Sequence, residues 1–188
     1  MNGKVKDSEI IQQIRNGNQL AFRDLYDLYF EYAMRVATVV MNHRRADAND
    51  AVQETFLRVY QNLDRYDDSR PFKPWFYKIL INECHRILKR DGKVISIEIL
   101  ESMKKNEHVS EHSNTFAEYD DLYSAIEHLE HHQRIPIILK YLNGFKEQEI
   151  AEIMDANLNT IKSRVFKGKQ KLKHFLNRNK EVNDNGRS

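Results

Sequence analysis

Apolar residues recur along this chain at spacings of three and four and almost nowhere in strict alternation, so the pattern predicts helices and no sheet. Six glycines and three prolines in 188 residues leave few breaks between them. A first helix is expected over 8–15 and ends at Asn16-Gly17. Asn18 can cap a longer helix over 19–41, whose inner stripe is Phe22, Leu25, Tyr26, Tyr29 and Ala33. Asp47, followed three residues later by Asp50, reads as a variant capping box for a helix reaching about 63, with Val52, Phe56, Val59 and Leu63 inward. Residues 64–71 form a polar loop, and Pro74 suits the first turn of a helix over 74–90 that Asp91-Gly92 stops. Residues 94–116 lose periodicity. Helices resume around Leu122, Ala125, Ile126 and Leu129, then around Ile137, Ile138, Tyr141 and Leu142. Pro136 is harmless only in a first turn, which places the start of that second helix near Gln133.

Residues 145–173 hold a short apolar-periodic helix, a four-residue break and a strongly basic helix, the layout of a helix-turn-helix. Ile150, Ala151, Ile153 and Met154 share one face of the first helix. The break is Asp155-Ala156-Asn157-Leu158, in which Asn157 is placed to cap the second helix. Ile161, Val165, Gly168 and Leu172 point inward there. From Thr160 to Lys180 there are eight Lys and Arg and no acid. A helix with a cationic outer face fits the major groove of DNA, where Lys and Arg hold phosphates and reach guanine edges. The alternative is a solvated basic helix in an ordinary bundle.

Charge extends this picture. The net charge of +2 averages over blocks of opposite sign. Residues 73–93 carry six Lys and Arg against two acids, and residues 98–130 carry nine acids against two lysines. Two basic blocks around an acidic one suggest two nucleic-acid contacts joined by a span that DNA repels. A single cysteine excludes an internal disulfide framework. No apolar run approaches the roughly 18 residues of a membrane span, and the polar N-terminus has no signal-peptide core. The expectation is a soluble, cytoplasmic protein.

The helix over 74–90 turns Phe76, Leu80, Cys84 and Ile87 to one side. Trp75, Lys78, Asn82, His85, Arg86 and Lys89 lie away from it. An aromatic ring, an amide and several cations suit an unstacked strand, because rings stack on bases while cations track phosphates. Trp75 packed into the core, with the charges solvated, is the other reading.

Three motifs now stand in order: Ala48-Asn49-Asp50-Ala51-Val52-Gln53-Glu54-Thr55-Phe56-Leu57-Arg58; Phe72-Lys73-Pro74-Trp75-Phe76-Tyr77-Lys78-Ile79 with Asn82; and Glu149-Ile150-Ala151-Glu152-Ile153-Met154 with Asn159-Thr160-Ile161-Lys162-Ser163-Arg164. Together they resemble the extracytoplasmic-function sigma factors of bacterial RNA polymerase over about residues 8–176. The resemblance implies an all-α chain of two small helical domains joined by a flexible linker. These are a region 2 domain over 1–93, an acidic linker over 94–116, a region 4 helix-turn-helix domain over 117–178, and a disordered tail over 179–188. It implies that Asp50, Gln53 and Glu54 grip the clamp helices of the largest subunit of the polymerase core. Tyr66, Asp67, Trp75, Lys78, Asn82, Arg86 and Lys89 would then meet the minus-ten element as it melts. Asn159, Thr160, Lys162, Ser163, Arg164, Phe166, Lys167 and Lys169 would read the minus-thirty-five element. A partner anti-sigma protein, often membrane-bound in this family, is implied as well.

Some positions depart from the family pattern. Arg86 and Lys89 stand where many members carry an acid and an Arg, which makes the helix more cationic. Glu130 follows Leu129 where the family has Leu-Pro. Asp155 replaces a turn glycine, and Asp tolerates positive φ better than most residues. Extended, the 23 residues of 94–116 span roughly 75 to 80 Å, enough for both domains to meet one promoter face across two turns of duplex.

Catalysis is not expected. Cys84 and His85 are neighbours on a helix and point about 100° apart. His108, His112, His128, His131 and His132 could suggest a metal, but zinc needs a fixed tetrahedral set, so no metal or cofactor is expected. Two other functions compete with the sigma factor: a helix-turn-helix regulator that binds DNA without polymerase, and a metal-regulated interaction protein.

Overall fold

A computed structural model of the chain describes residues 2–90, 125–126 and 128–185. The expected linker, the stop at Asp91-Gly92 and Leu122 lie outside the described residues. Every regular element within them is helical: α1 (Asn2–Arg15), α2 (Ala21–Val40), α3 (Arg45–Asn62), a 3-10 turn (Leu63–Arg65), α4 (Phe72–Arg90), α5 (His131–Ile137) running into a π turn (Ile138–Leu142), α6 (Glu147–Ile153) and α7 (Leu158–Asn185). The chain divides into two compact units, with α1 to α4 in the first and α5 and α7 in the second.

In the first unit, α3 packs against both α2 and α4. Leu25, Ala33, Val36, Ala37, Ala51, Val52, Val59, Phe76, Tyr77 and Leu80 are all essentially inaccessible to solvent. Rings dominate the contact. Phe76 lies 4.8 Å from Tyr29 and 5.2 Å from Phe56, and Phe56 is 4.6 Å from Tyr26. Aromatic pairs in such tilted or edge-on geometry add about 0.5–1.5 kcal/mol beyond area burial. Tyr29 also donates its hydroxyl hydrogen to Asp7 Oδ2 at 2.8 Å, tying α1 to α2.

The predicted caps are corrected. Asn18 does not cap α2: Leu20 holds the cap position without a side-chain bond, and the Asn18 amide instead donates to Gln13 Oε1 at 3.4 Å. Gly17, at φ +92°, reverses the chain so tightly that the intervening residues satisfy one another through backbone bonds. Helix α3 begins at Arg45 rather than at Asp47, because Asn42 and His43 take positive φ and turn the chain early. Asp47 then falls inside the first turn, where its carboxylate pairs with the Arg44 guanidinium at 2.7 Å. Helix α5 starts at His131, two residues before Gln133. The Glu130 carbonyl accepts from the Gln133 and Arg134 N–H groups at 2.8 Å each, and Pro136 consequently sits inside the helix. The missing proline N–H and the widened π turn that follows mark this helix as irregular. Helix α1 extends forward to Asn2, and α7 continues to Asn185 across the expected tail, since no Gly or Pro lies between Gly168 and Gly186.

The second unit rests on the packing of α5 against α7. The two helices come close at Gly168, where an added Cβ would lie 2.9 Å from Ile137 Cγ1 and 3.2 Å from its Cδ1. Ile137 is itself 1% exposed and has little room to yield. Gly168→Val is expected to lower the stability of this unit by about 1–3 kcal/mol through overpacking. Gly168→Ala is expected to stay within about 1 kcal/mol of wild type, because helix propensity offsets most of the clash. Urea unfolding of the full chain, followed by circular dichroism, measures both.

Candidate nucleic-acid interface

With Phe76, Leu80, Cys84 and Ile87 buried, α4 has one orientation available, and its other side carries the chemistry. Trp75 and Lys78 are half-buried, while Asn82, Arg86 and Lys89 are exposed. Their successive spacings of three, four, four and three residues make one stripe along the helix. Trp75 is neither wholly core nor wholly solvent-facing. One side of its ring rests on Tyr66, at 5.1 Å, and on Phe72, at 5.5 Å.

The loop before α4 is held from below. The Arg15 guanidinium donates to the Leu63 carbonyl at 2.7 Å and to the Tyr66 carbonyl at 2.5 Å, and pairs with Asp68 at 2.6 Å. One α1 side chain thus fixes three points of the turn that leads into Tyr66 and Asp67. Tyr66 is buried and donates its hydroxyl hydrogen to the Arg70 carbonyl. Burial, then the nearby Asp68 carboxylate, push its phenol up to about 12. Its ring therefore backs Trp75 instead of facing solvent. Asp67 is exposed, and its hydrogen bonds with Ser69, including the Ser69 N–H to Oδ1 at 3.0 Å, hold its carboxyl below the usual range. A fixed loop, a half-buried indole and a row of cations can stack one unpaired base and track the phosphates beside it.

The neighbouring residues do not make a nucleophile. Burial pushes the Cys84 thiol up to about 12, and burial followed by Lys89 lowers the His85 imidazole, so both are uncharged at neutral pH. Among the described residues, no three His, Cys, Asp or Glu side chains come together as a metal set; His108 and His112 lie outside them.

On α3, Asp50 and Gln53 are exposed and Glu54 is a third exposed. Glu54 is also engaged within the protein, 3.2 Å from Arg58 Nε and 4.0 Å from Arg86 Nη2. Beside these three, Leu57 is 50% exposed, an apolar neighbour that the polar motif alone did not single out.

Helix α6 is opened by the Glu149 carboxylate, which accepts the Lys146 N–H at 2.7 Å. Asp155 takes φ +47° in the turn, as the replaced glycine suggested, and the Asn157 side chain caps α7 by accepting the Asn159 N–H at 2.8 Å. Ile161, Val165, Gly168 and Leu172 are buried. Asn159, Thr160, Ser163, Arg164 and Lys167 line a shallow groove of about 510 Å³ together with His132 of α5. Lys162, Phe166 and Lys169 stand outside that groove on an exposed flank, Phe166 at 62% exposure. His132 was missed as a groove residue because only the packing of α5 on α7 brings it there. Its Nε2 lies 3.3 Å from Glu130, whose other oxygen pairs with Lys171 of α7. The groove combines amide, hydroxyl, guanidinium and ammonium groups, the donor set that reads base edges and phosphates. Among the described residues no helix is long and apolar enough to cross a membrane.

Comparison with known proteins places the chain in a family. Residues 21–94 match the family model for sigma-70 region 2 and residues 119–172 match that for sigma-70 region 4, together more than half of the chain. The ECF RNA polymerase sigma factor SigW of Bacillus subtilis is 30% identical over 183 residues, covering 88% of this chain and 94% of that one. The ECF RNA polymerase sigma-E factor of Escherichia coli K12 is 28% identical over 184 residues, covering 92% and 95%. Among solved structures, the sigma factor RpoE of Bartonella quintana, in complex with the anti-sigma factor NepR, superposes with a TM-score of 0.68 at 25% identity, covering 83% of this chain and 96% of that one. Two sigma-70 regions in order, and a full-span likeness to an ECF sigma factor at 30% identity, make this chain a member of the extracytoplasmic-function sigma factors of the sigma-70 family.

Proposed function

We infer that this protein is an alternative sigma factor that binds RNA polymerase core in the cytoplasm and directs initiation at a particular set of promoters, without catalysis of its own. The observation that carries the reading is the occurrence of the two family regions, in the expected order, on a helical scaffold. Asp50, Gln53 and Glu54 on α3 supply acceptors for the clamp helices of the largest subunit. Trp75, Lys78, Asn82, Arg86 and Lys89 on α4, with Asp67 in the loop and Tyr66 behind Trp75, receive the melted minus-ten strand. Unstacking a base costs a few kcal/mol per step, and a preformed aromatic wall offsets part of that cost. The α7 residues of the groove, with Lys162, Phe166 and Lys169 beside it, read the minus-thirty-five element. The relation to a sigma factor solved with an anti-sigma factor supports control by a partner of that kind.

Run-off transcription with bacterial core polymerase on a pool of promoter fragments tests the whole reading. Wild-type protein is expected to give transcripts with defined starts. Asp50→Arg combined with Glu54→Arg is expected to reduce them at least about tenfold, since like charges across an interface cost several kcal/mol. DNA binding without transcripts would identify a stand-alone regulator instead. At the upstream element, Lys167→Ala should weaken promoter binding by the holoenzyme to a similar degree whatever the sequence. The slope of log affinity against log salt should become shallower by about 0.9, the signature of one lost phosphate contact on duplex DNA.

A further inference from the structure

The single acid on α4 is Glu83, with a side chain 5% exposed. A carboxylate taken out of water needs partners for both oxygens, and here both are arginines. Oε1 meets Arg58 Nε of α3 at 2.6 Å, and Oε2 meets Arg86 Nε of α4 at 2.6 Å. Glu54 stands on the outer side of the same pair, 3.2 Å from Arg58 and 4.0 Å from Arg86. The four charges sum to zero. Arg86 is nearly half exposed; its Nε pairs closely with Glu83 and its Nη2 stands 4.0 Å from Glu54, so two acids partly offset the positive potential it adds to the α4 stripe. The Glu83 contact raises the guanidinium pKa further, so its charge is permanent and only its partner can change.

This network joins two faces to which different partners have been assigned above. Glu54 is on the α3 surface read as the polymerase contact, and Arg86 is in the row read as the contact to the melted minus-ten strand. We propose that Glu54, Arg58, Glu83 and Arg86 form a relay that masks Arg86 in the free protein and unmasks it when polymerase engages Glu54. The proposal rests on the sigma-factor reading. When a polymerase cation captures Glu54, Arg58 loses its outer partner and draws more fully on Glu83. Arg86 Nη2 then has no acid facing it and can take a phosphate of the unpaired strand. Partly exposed ion pairs are each worth little, so the exchange has a low cost in either direction. Glu83 is a positioning residue in this scheme: it touches neither partner and sets where Arg86 points.

The test uses the full-length protein and a fluorescein-labelled oligothymidylate of about 20 nucleotides, long enough to occupy a single-strand site without sequence preference. Affinity is measured over a range of salt concentrations. Glu54→Gln, in the absence of polymerase, is expected to bind about threefold to fivefold more tightly than wild type, the scale of a partly exposed ion pair. The slope of log affinity against log salt should steepen by about 0.7, one additional phosphate contact on a single strand. Adding Arg86→Gln should abolish both changes, and Asp64→Asn, which removes one exposed acid outside the network, should leave the slope unchanged. Glu83→Gln should act in the same direction as Glu54→Gln. Should it fail to fold by circular dichroism, Glu54→Gln with its Arg86→Gln double mutant decides alone. An unaltered slope in Glu54→Gln, or a gain that survives Arg86→Gln, overturns the relay. Run-off transcription by the wild type separates the two ideas: absence of transcripts refutes the sigma-factor reading, whereas the salt slopes judge the masking of Arg86 without polymerase.

Discussion

The packing of Phe76 fixes the first unit. Its ring is fully buried against Tyr29, Phe56, Phe72 and Tyr77, so three helices meet at one side chain of α4. A helix anchored at that point cannot rotate without exposing Phe76, Leu80 and Cys84 together. The outward row from Trp75 to Lys89 is therefore a consequence of core packing as much as of its own composition. Arg15 adds a second restraint, holding the loop carbonyls that precede α4 and so the height of Tyr66 behind the indole. The exposed row of α4 is thus positioned by neighbours, Phe76 and Arg15, that are not part of it.

The second unit solves a similar problem with a glycine. At Gly168 the inward stripe of α7 loses its side chain, and α5 approaches close enough to place Ile137 there. That approach carries His132 to the edge of the groove formed by Asn159, Ser163, Arg164 and Lys167. Glu130 then meets both His132 and Lys171, so the acid that departs from the family's proline helps to tie α5 to α7. The turn before α7 reaches its geometry through Asp155 at positive φ, a conformation an aspartate accepts at lower cost than most residues.

Much of this was legible in the chain itself. Periodicity located every described helix, because burial of one face at a spacing of three and four is a property that sequence displays directly. The Asn157 cap was equally plain, since an Asx side chain and the N–H it accepts are two residues apart. The caps at Asn18 and Asp47 failed for the opposite reason. Gly17 and the positive φ of Asn42 and His43 moved the chain reversal, and a local cap depends on where the backbone turns. The continuation of α7 through residues 179–185 fits a helix already nucleated that meets no Gly or Pro between Gly168 and Gly186, whatever its polar composition.

The motifs by themselves determined the helical class, the two sigma regions and most of the residues proposed to face polymerase and DNA, because these follow from which residue types recur on which face. The tertiary structure alone decided that Tyr66 is a buried support, that His132 joins the groove, and that Glu54 and Arg86 share a network through Glu83 and Arg58. Those relations join residues on different helices, or in a loop and a helix. Contacts of that kind depend on the distance and rotation at which side chains pack, and a one-dimensional pattern of apolar and polar positions does not carry either quantity.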